Sequence, residues 1–163
     1  MDNLKILTDY YYLALAMGYK NKNDIIQWAD NCIEQYEIPY DFIELSLSGS
    51  KSIEDILSIL QTLYAKDDFE IPMYIMLGQI RSDFIKKIIS VDDFFSYLNS
   101  LNDQGCISDK AVDQFSFLDR LSDGYYLATE RIYGEVEDIA LEALEDLKKY
   151  EEYTDLLKEG IQE

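Results

Sequence analysis

Apolar residues recur three and four positions apart along most of the chain, which is the spacing of one face of an α-helix. In the clearest case the apolar positions are Ile25, Ile26, Ala29, Cys32, Ile33 and Tyr36. Trp28 lies beside this stripe, as expected of a core residue, and the other intervening positions are polar. Similar stripes begin near Leu4, Ile53, Met73, Val91, Ala111 and Val136. No stretch alternates apolar and polar residues between hairpin turns. The pattern therefore predicts an all-α protein.

Residues that start or end helices separate these stripes. Gly18 can adopt the left-handed conformation that ends a helix, and Pro72 suits a first helical turn. The side chains that can cap the start of a helix are those of Asn21, Asn23, Asp24, Ser52, Ser90 and Ser108. The turn-forming residues Ser122 to Gly124 predict a break between two helices. From Tyr125 onward we expect one long or kinked helix that is weakest at Gly134, with a frayed tail after Tyr153.

The spacing of these signals predicts about eight helices in one domain spanning residues 1–163. Their short connections favour stacked antiparallel hairpins, in an irregular bundle or a short solenoid-like array. The motif aromatic-Glu-Ile-Pro occurs at Tyr36–Pro39 and again at Phe69–Pro72. Since a stable helical array needs about three repeats and no third copy is found, a duplicated hairpin fits as well as a solenoid.

The chain is strongly acidic and yet rich in core-forming residues. It has 33 Asp and Glu against 14 Lys and Arg, a formal charge of −19, while 48% of its residues are hydrophobic and 13% aromatic. The composition indicates a folded protein with charge on its surface. This charge repels nucleic acids and anionic membranes and attracts a basic protein surface, although it also serves solubility alone.

Few catalytic chemistries are available to this sequence. It has no His, its glycines do not form a phosphate-binding loop, and Cys32 and Cys106 lack the spacing of metal ligands. We therefore expect no cofactor and no enzymatic activity. The alternative is a Mg²⁺-dependent nucleotide pyrophosphohydrolase-like enzyme whose carboxylates would be Glu142, Glu145, Glu152 and Asp155. The same residues also fit an ordinary solvated helix face.

The N-terminal segment opens with Asp2 and is interrupted by Asp9, which does not fit a signal peptide. No stretch has the roughly twenty uninterrupted apolar residues that a membrane-spanning helix needs. Two widely separated cysteines in apolar surroundings are typical of a reducing compartment. These features predict a cytoplasmic protein.

Two neighbouring segments carry a family resemblance: GYKNKNDIIQWAD, which begins at Gly18, and EIPYDFIELSLSG, which ends at Gly49. With the small, acidic, all-α build, they resemble bacterial proteins found among candidate immunity proteins of polymorphic or contact-dependent toxin systems. The resemblance implies a cytosolic protein that binds one toxin domain, often a basic nuclease, and blocks it with a negatively charged surface.

The leading hypothesis is therefore an acidic helical binding protein that neutralises a basic protein partner, with no role for nucleic acid or membrane. A structural helical scaffold is a further alternative, and the sequence does not indicate an oligomeric state. The acidic residues expected to contact the partner lie at hairpin ends and on the last long helix; they are Asp41, Glu44, Asp67, Asp68, Glu135, Glu137, Asp138 and Glu142.

Overall fold

The structure, a computed structural model, describes residues 2–35, 40–63, 69–103 and 115–162. Within these ranges the chain is helical and has no strand, which confirms the all-α prediction. The elements in chain order are α1 (Asp2–Ala16), α2 (Lys22–Gln35), α3 (Tyr40–Ser46), α4 (Ile53–Leu63), α5 (Glu70–Ile85), α6 (Val91–Asp103), α7 (Phe117–Thr129), α8 (Val136–Leu147), a 3₁₀ helix (Lys148–Thr154) and α9 (Asp155–Gln162).

Helix ends in the first part of the chain lie where the sequence predicts them. Gly18 has a φ of +76°, and the amide of Tyr19 donates to the carbonyl of Ala14 at 2.9 Å, so α1 ends in a left-handed turn. The amide of Asn21 donates to the Asp24 carboxylate at 2.9 Å, and the amide of Asp24 donates to the Asn21 side chain at 3.0 Å. This reciprocal pair fixes the start of α2.

The capping serines and the first-turn proline are also confirmed. The amide of Asp55 donates to the Ser52 hydroxyl at 3.1 Å, and the amide of Asp93 donates to the Ser90 hydroxyl at 3.1 Å. Pro72 is the third residue of α5. Three other features lie outside the described residues: the cap at Ser108, the first aromatic-Glu-Ile-Pro motif at residues 36–39, and the acidic pair Asp67 and Asp68.

Two predictions about the last third of the chain are wrong. Helix α7 continues through Ser122–Gly124, because Leu121 and Ala128 are buried on its inner face and this packing outweighs the ~1 kcal/mol helix penalty of a glycine. The interruption falls instead at residues 130–135, where Gly134 has a φ of +78°. The residues after Thr154 form α9 rather than a frayed tail, since Leu157 packs against a buried core.

The chain divides into two compact units, so the single domain expected from the sequence stays a prediction. Unit 1 comprises Met1–Pro72 together with Asp155–Glu163, and unit 2 comprises Met73–Thr154. In unit 1, α1 contacts α2, α4 and α9, and α3 contacts both α2 and α4. In unit 2, contacts join α6 to α7, α7 to α8, and α8 to the 3₁₀ helix.

Aromatic residues build the core of unit 1 around Trp28. Its ring stacks on Tyr11 with centroids 4.4 Å apart and meets the edge of Phe42 at 5.5 Å. Cys32 is a buried free thiol in the same cluster. Trp28 is therefore a core residue of unit 1, as its position beside the apolar stripe predicted.

Alkaline pH should destabilise the protein through this core. Burial, with the nearby Cys32 and Asp24, raises the pKa of Tyr11 to about 12, so the folded chain holds this proton more tightly than the unfolded chain. The contribution of protonated Tyr11 to the free energy of unfolding is complete below pH 10. Up to about 2–3 kcal/mol of it is lost as the pH rises toward 12. Urea unfolding from pH 9 to 11.5 should show a shallower decline for Tyr11→Phe than for the wild type. Parallel curves would contradict this assignment.

The core of unit 2 forms where α5 meets the 3₁₀ helix. Tyr74 stacks on Tyr150 with centroids 5.1 Å apart and lies 4.9 Å from the ring of Tyr153. The carbonyl of Tyr150 lies directly against Gly78, as expected of a glycine at a close helix approach. Arg81 donates from Nε to the carbonyl of Leu144 at 2.9 Å, which joins α5 to the end of α8.

No helix in the described ranges is long and apolar enough to cross a membrane.

Candidate functional site

A groove lies between α7 and α8 in unit 2. Its volume is about 880 Å³. The lining residues come from α7, from the α7–α8 turn and from α8, and they are Arg120, Asp123, Gly124, Leu127, Tyr133, Gly134, Glu135, Asp138, Ile139 and Glu142. We call this feature the α7–α8 groove.

The turn between the two helices closes one end of the groove. The amide of Ile132 donates to the carbonyl of Leu127 at 2.9 Å, and Arg131 has a φ of +56°, so α7 ends in a left-handed turn on a residue other than glycine. Gly134 then reverses the chain with its own positive φ. Tyr133, Gly134 and Glu135 of this turn all line the groove.

A glycine allows α7 and α8 to approach each other below the groove. A Cβ atom placed on Gly124 would lie 2.7 Å from Cδ1 of Ile139 and 3.5 Å from its Cγ1. This is tighter than normal van der Waals contact, so the missing side chain at Gly124 makes room for Ile139. The apolar floor of the groove is formed at this crossing.

Four carboxylates lie on one face of α8 and at its N-cap. They are spaced three, four and four residues apart, which places them on a single stripe, and they are Glu135, Asp138, Glu142 and Asp146. We call them the acidic stripe. Glu135 is the N-cap residue in an extended conformation, but its carboxylate makes no capping hydrogen bond. Its charge is favoured there by the positive end of the helix dipole.

Arg120 forms ion pairs with both carboxylates in the C-terminal half of the acidic stripe. Its guanidinium pairs with Glu142, and its Nη2 donates to Oδ2 of Asp146 at 2.5 Å. By contrast, Glu135 and Asp138 form no ion pair and no side-chain hydrogen bond within the described part of the chain. The groove lining as a whole carries four carboxylates and one guanidinium, which is a formal charge of −3.

Exposed aromatic and aliphatic side chains accompany this charge. The side chain of Tyr133 is 79% exposed while lining the groove. Tyr126, Ile132 and Leu141, which belong to α7, the turn and α8, are also exposed. Large rings with a polar tip at the rim of an acidic groove are typical of protein-binding surfaces.

Helix α7 is held in place on its other side by α6. Tyr125 stacks on Phe95 with centroids 4.2 Å apart, and its hydroxyl donates to the Asp92 carboxylate. Burial, together with this hydrogen bond, raises the pKa of Tyr125 to about 12. These contacts with α6 hold the α7 wall of the groove in place.

The structure brings together three of the eight acidic residues predicted to bind a partner, namely Glu135, Asp138 and Glu142. Glu137 is exposed in the first turn of α8 and does not line the groove. Asp41 and Glu44 lie on α3 in unit 1, where Glu44 is already paired with Lys51 at 2.7 Å.

Two observations bear on the carboxylates proposed for a Mg²⁺ site. Glu142 is engaged by Arg120. Among the residues that the structure describes, no group of three or more Cys, Asp or Glu side chains is arranged to hold a metal ion. The observed contacts of the α8 carboxylates are the ion pairs of Glu142 and Asp146 with Arg120.

No protein-family model, curated protein or solved structure matches the chain in the comparisons made with it. The groove is therefore interpreted from its own chemistry.

Sequence reasoning missed the α7 side of the groove. Arg120, Asp123, Gly124 and Leu127 recur at helical spacing, which was the available signal. It was obscured because Ser122–Gly124 has the composition of a turn.

Proposed function

We propose that this chain is an acidic helical binding protein that engages the basic surface of a protein partner through the α7–α8 groove. The observation that carries the proposal is the composition of the groove lining, in which the carboxylates of Asp123, Glu135, Asp138 and Glu142 face one guanidinium. Charge complementarity of this kind selects a cationic partner and disfavours an anionic one.

Charged and apolar side chains contribute to binding in different ways. The net charge of −19 accelerates encounter with a cationic protein at long range. Exposed residues of the groove lining, such as Tyr133, then offer apolar area that slows dissociation once it is covered.

The specific form of the proposal is an immunity protein that occludes a basic toxin domain in the bacterial cytoplasm. Its support is the acidic surface and the resemblance carried by the Gly18–Gly49 segment. A partner of this class would present Lys and Arg side chains that normally contact phosphate groups, and the carboxylates of the groove would occupy them instead.

Salt dependence of association tests the proposal. The probe is a peptide of ten Lys-Gly repeats, mixed with the full chain in a stopped-flow instrument at 10 and 200 mM NaCl. We expect the association rate to fall at least about tenfold at the higher salt, because the Debye length shrinks from ~30 Å to below ~10 Å. A matched peptide of Glu-Gly repeats should not bind. An association rate that is insensitive to salt would contradict the proposal.

A further inference from the structure

The end of α5 is a turn that presents two lysines and two isoleucines to solvent. Residues 85–88 are all exposed, and we call them the lysine turn. The amide of Lys87 donates to the carbonyl of Phe84 at 3.1 Å, and the amide of Ile88 donates to the carbonyl of Asp83 at 2.9 Å. Lys87 has a φ of +61°, which residues other than glycine adopt only rarely. The turn therefore has a defined backbone that holds its side chains outward.

An isoleucine of the lysine turn is in solvent where such a residue is usually covered. The residue that follows the left-handed position at a helix C-terminus commonly packs back on the last turn of its own helix. Here that residue is Ile88, which is 67% exposed, and Ile85 is half exposed. The lysine turn therefore offers aliphatic surface to another molecule.

The lysine turn also concentrates positive charge on an acidic chain. Two cations are adjacent in the sequence only at Lys86 with Lys87 and at Lys148 with Lys149. Lys149 lies over two aromatic rings, with centroids 5.1 and 5.8 Å from its Nζ. Lys86 and Lys87 form no ion pair with any residue that the structure describes.

The acidic residues nearest to the two lysines along the chain are already engaged. On the N-terminal side the nearest is Asp83, whose Oδ1 accepts a hydrogen bond from Nε2 of Gln79 at 3.0 Å. On the C-terminal side the nearest is Asp92, whose carboxylate accepts a hydrogen bond from the hydroxyl of Tyr125. The ammonium groups of the lysine turn are therefore available to carboxylates of another molecule.

The α7–α8 groove is complementary to the lysine turn in charge and in polarity. Its lining combines the apolar side chains of Leu127 and Ile139 with the carboxylates of Asp123, Glu135 and Asp138. The lysine turn combines two isoleucines with two ammonium groups. When the two surfaces meet, cations face carboxylates and aliphatic side chains cover the apolar lining.

A row of stacked rings connects the lysine turn to the α7 wall of the groove. Phe84 of α5 stacks on Phe94 of α6 with centroids 4.4 Å apart. The neighbouring Phe95 stacks on Tyr125 of α7. Both surfaces thus belong to unit 2, and every copy of the chain carries both of them. Two copies can therefore make the same contact twice, as in a symmetric dimer.

We propose that the α7–α8 groove of one copy binds the lysine turn of a second copy, which makes the chain a dimer in solution. Lys86 and Lys87 pair with Glu135 and Asp138, and Ile88 covers the apolar part of the lining. The charge of −19 on each copy opposes their approach at low salt. At 150 mM salt the Debye length is only ~8 Å, so this repulsion is screened and the direct contacts decide the affinity.

This inference goes beyond the proposed function, because the occupant of the groove is the chain itself. The dimer covers the surface that a basic partner would use. Dimer formation and binding of the partner therefore compete for the groove.

Sedimentation equilibrium of the full chain at 150 mM NaCl tests the dimer. We expect the average mass to rise from that of one chain at about 5 µM toward that of two chains at about 500 µM, the range of a weak interface. Ile88→Ser should raise the dissociation constant at least about tenfold. Leu47→Ser, which removes a similarly exposed aliphatic side chain from unit 1, should change it less than about twofold.

Charge reversal identifies the two surfaces that meet. Lys86→Glu with Lys87→Glu should leave the chain monomeric over the same concentrations, and so should Glu135→Lys with Asp138→Lys. An equimolar mixture of these two variants should associate again. The acidic turn of the first variant then faces the basic groove of the second, and the unchanged turn of the second faces the unchanged groove of the first.

The control for the lysine turn is Lys5→Glu with Lys148→Glu. Both lysines are exposed, and the change in net charge is the same, but the lysine turn is intact. We expect the dissociation constant of this variant to stay within about threefold of the wild-type value, since only the screened long-range repulsion increases. Circular dichroism of each variant checks that the helices are retained.

The outcomes separate this inference from the proposed function. A wild-type chain that stays monomeric at about 500 µM overturns the dimer, and so does a mixture of the two folded charge-reversed variants that fails to associate. If such a monomeric chain still binds the Lys-Gly peptide, the proposed function stands. If the mixture associates but the Lys-Gly peptide does not bind the wild-type chain at about 5 µM, where it is monomeric, the dimer stands and the proposed function is overturned.

Discussion

Replacing Gly78 with alanine should lower the free energy of unfolding by about 3 kcal/mol. Alanine is normally the better helix former by ~1 kcal/mol, so an interior Gly→Ala change would ordinarily stabilise α5. Here the new Cβ would overlap the backbone carbonyl of Tyr150 and lie 3.0 Å from Cγ2 of Thr154. Because the obstacle is main chain, it cannot rotate away, and α5 and the 3₁₀ helix must move apart.

Gly124→Ala provides the matched control in the same unit. It is also an interior helix position, but its new Cβ would meet the terminal carbon of Ile139, which can change rotamer. The gain in helix propensity should offset most of that adjustment, so we expect a change within about 1 kcal/mol of zero. Urea unfolding of both variants measures the two changes in the free energy of unfolding. Equal destabilisation would contradict the argument that a backbone obstacle costs more than a side chain that can change rotamer.

The double substitution Glu135→Lys and Asp138→Lys should weaken binding of the Lys-Gly peptide by more than about a hundredfold, which is about 2.7 kcal/mol. It places two cations where the groove lining now carries two carboxylates without an ion pair in the described chain. Like charges at the point of contact oppose both encounter and retention of a basic partner.

The control for this change is Glu137→Lys with Glu145→Lys. It alters the net charge equally and on the same helix, but neither residue lines the groove. Since long-range attraction is reduced to the same extent, we expect only a few-fold loss of affinity, visible mainly in the association rate. Calorimetry and stopped-flow measurements on both doubles separate the two effects, and losses of similar size would show that the groove has no special role.

The parts of the fold that depend on local chemistry could be predicted from the sequence. Gly18, the Asn21–Asp24 pair and Ser90 act within a few residues of themselves, so their patterns are sufficient to place helix ends. The stripe from Ile25 to Cys32 likewise predicts a buried face without knowledge of its neighbours.

The features that depend on distant residues could not be predicted. Ser122–Gly124 resembles a turn by composition, and it is helical because Leu121 and Ala128 are buried on the inner face of α7. The residues 155–162 are charged enough to read as a tail, yet Leu157 gives α9 a core to pack on. In both cases tertiary packing overrides local propensity.

The candidate site shows the same division. Glu135, Asp138 and Glu142 could be selected because they belong to an acidic helix face. Glu137 belongs to the same acidic segment but does not line the groove, and this depends on which side of α8 packs against α7. The ion pair of Glu142 depends on Arg120, which lies on the neighbouring helix. Pairing across two helices leaves no pattern in a single sequence.

Unit 1 is assembled from two separated pieces of the chain, and this has a consequence for the order of folding during synthesis. Unit 2 is contiguous from Met73 to Thr154, so its whole sequence is synthesised before α9. The contact between α1 and α9 can form only after that point. Unit 1 is therefore complete only when the segments on both sides of unit 2 have been synthesised, and until then α1 lacks its contact with α9.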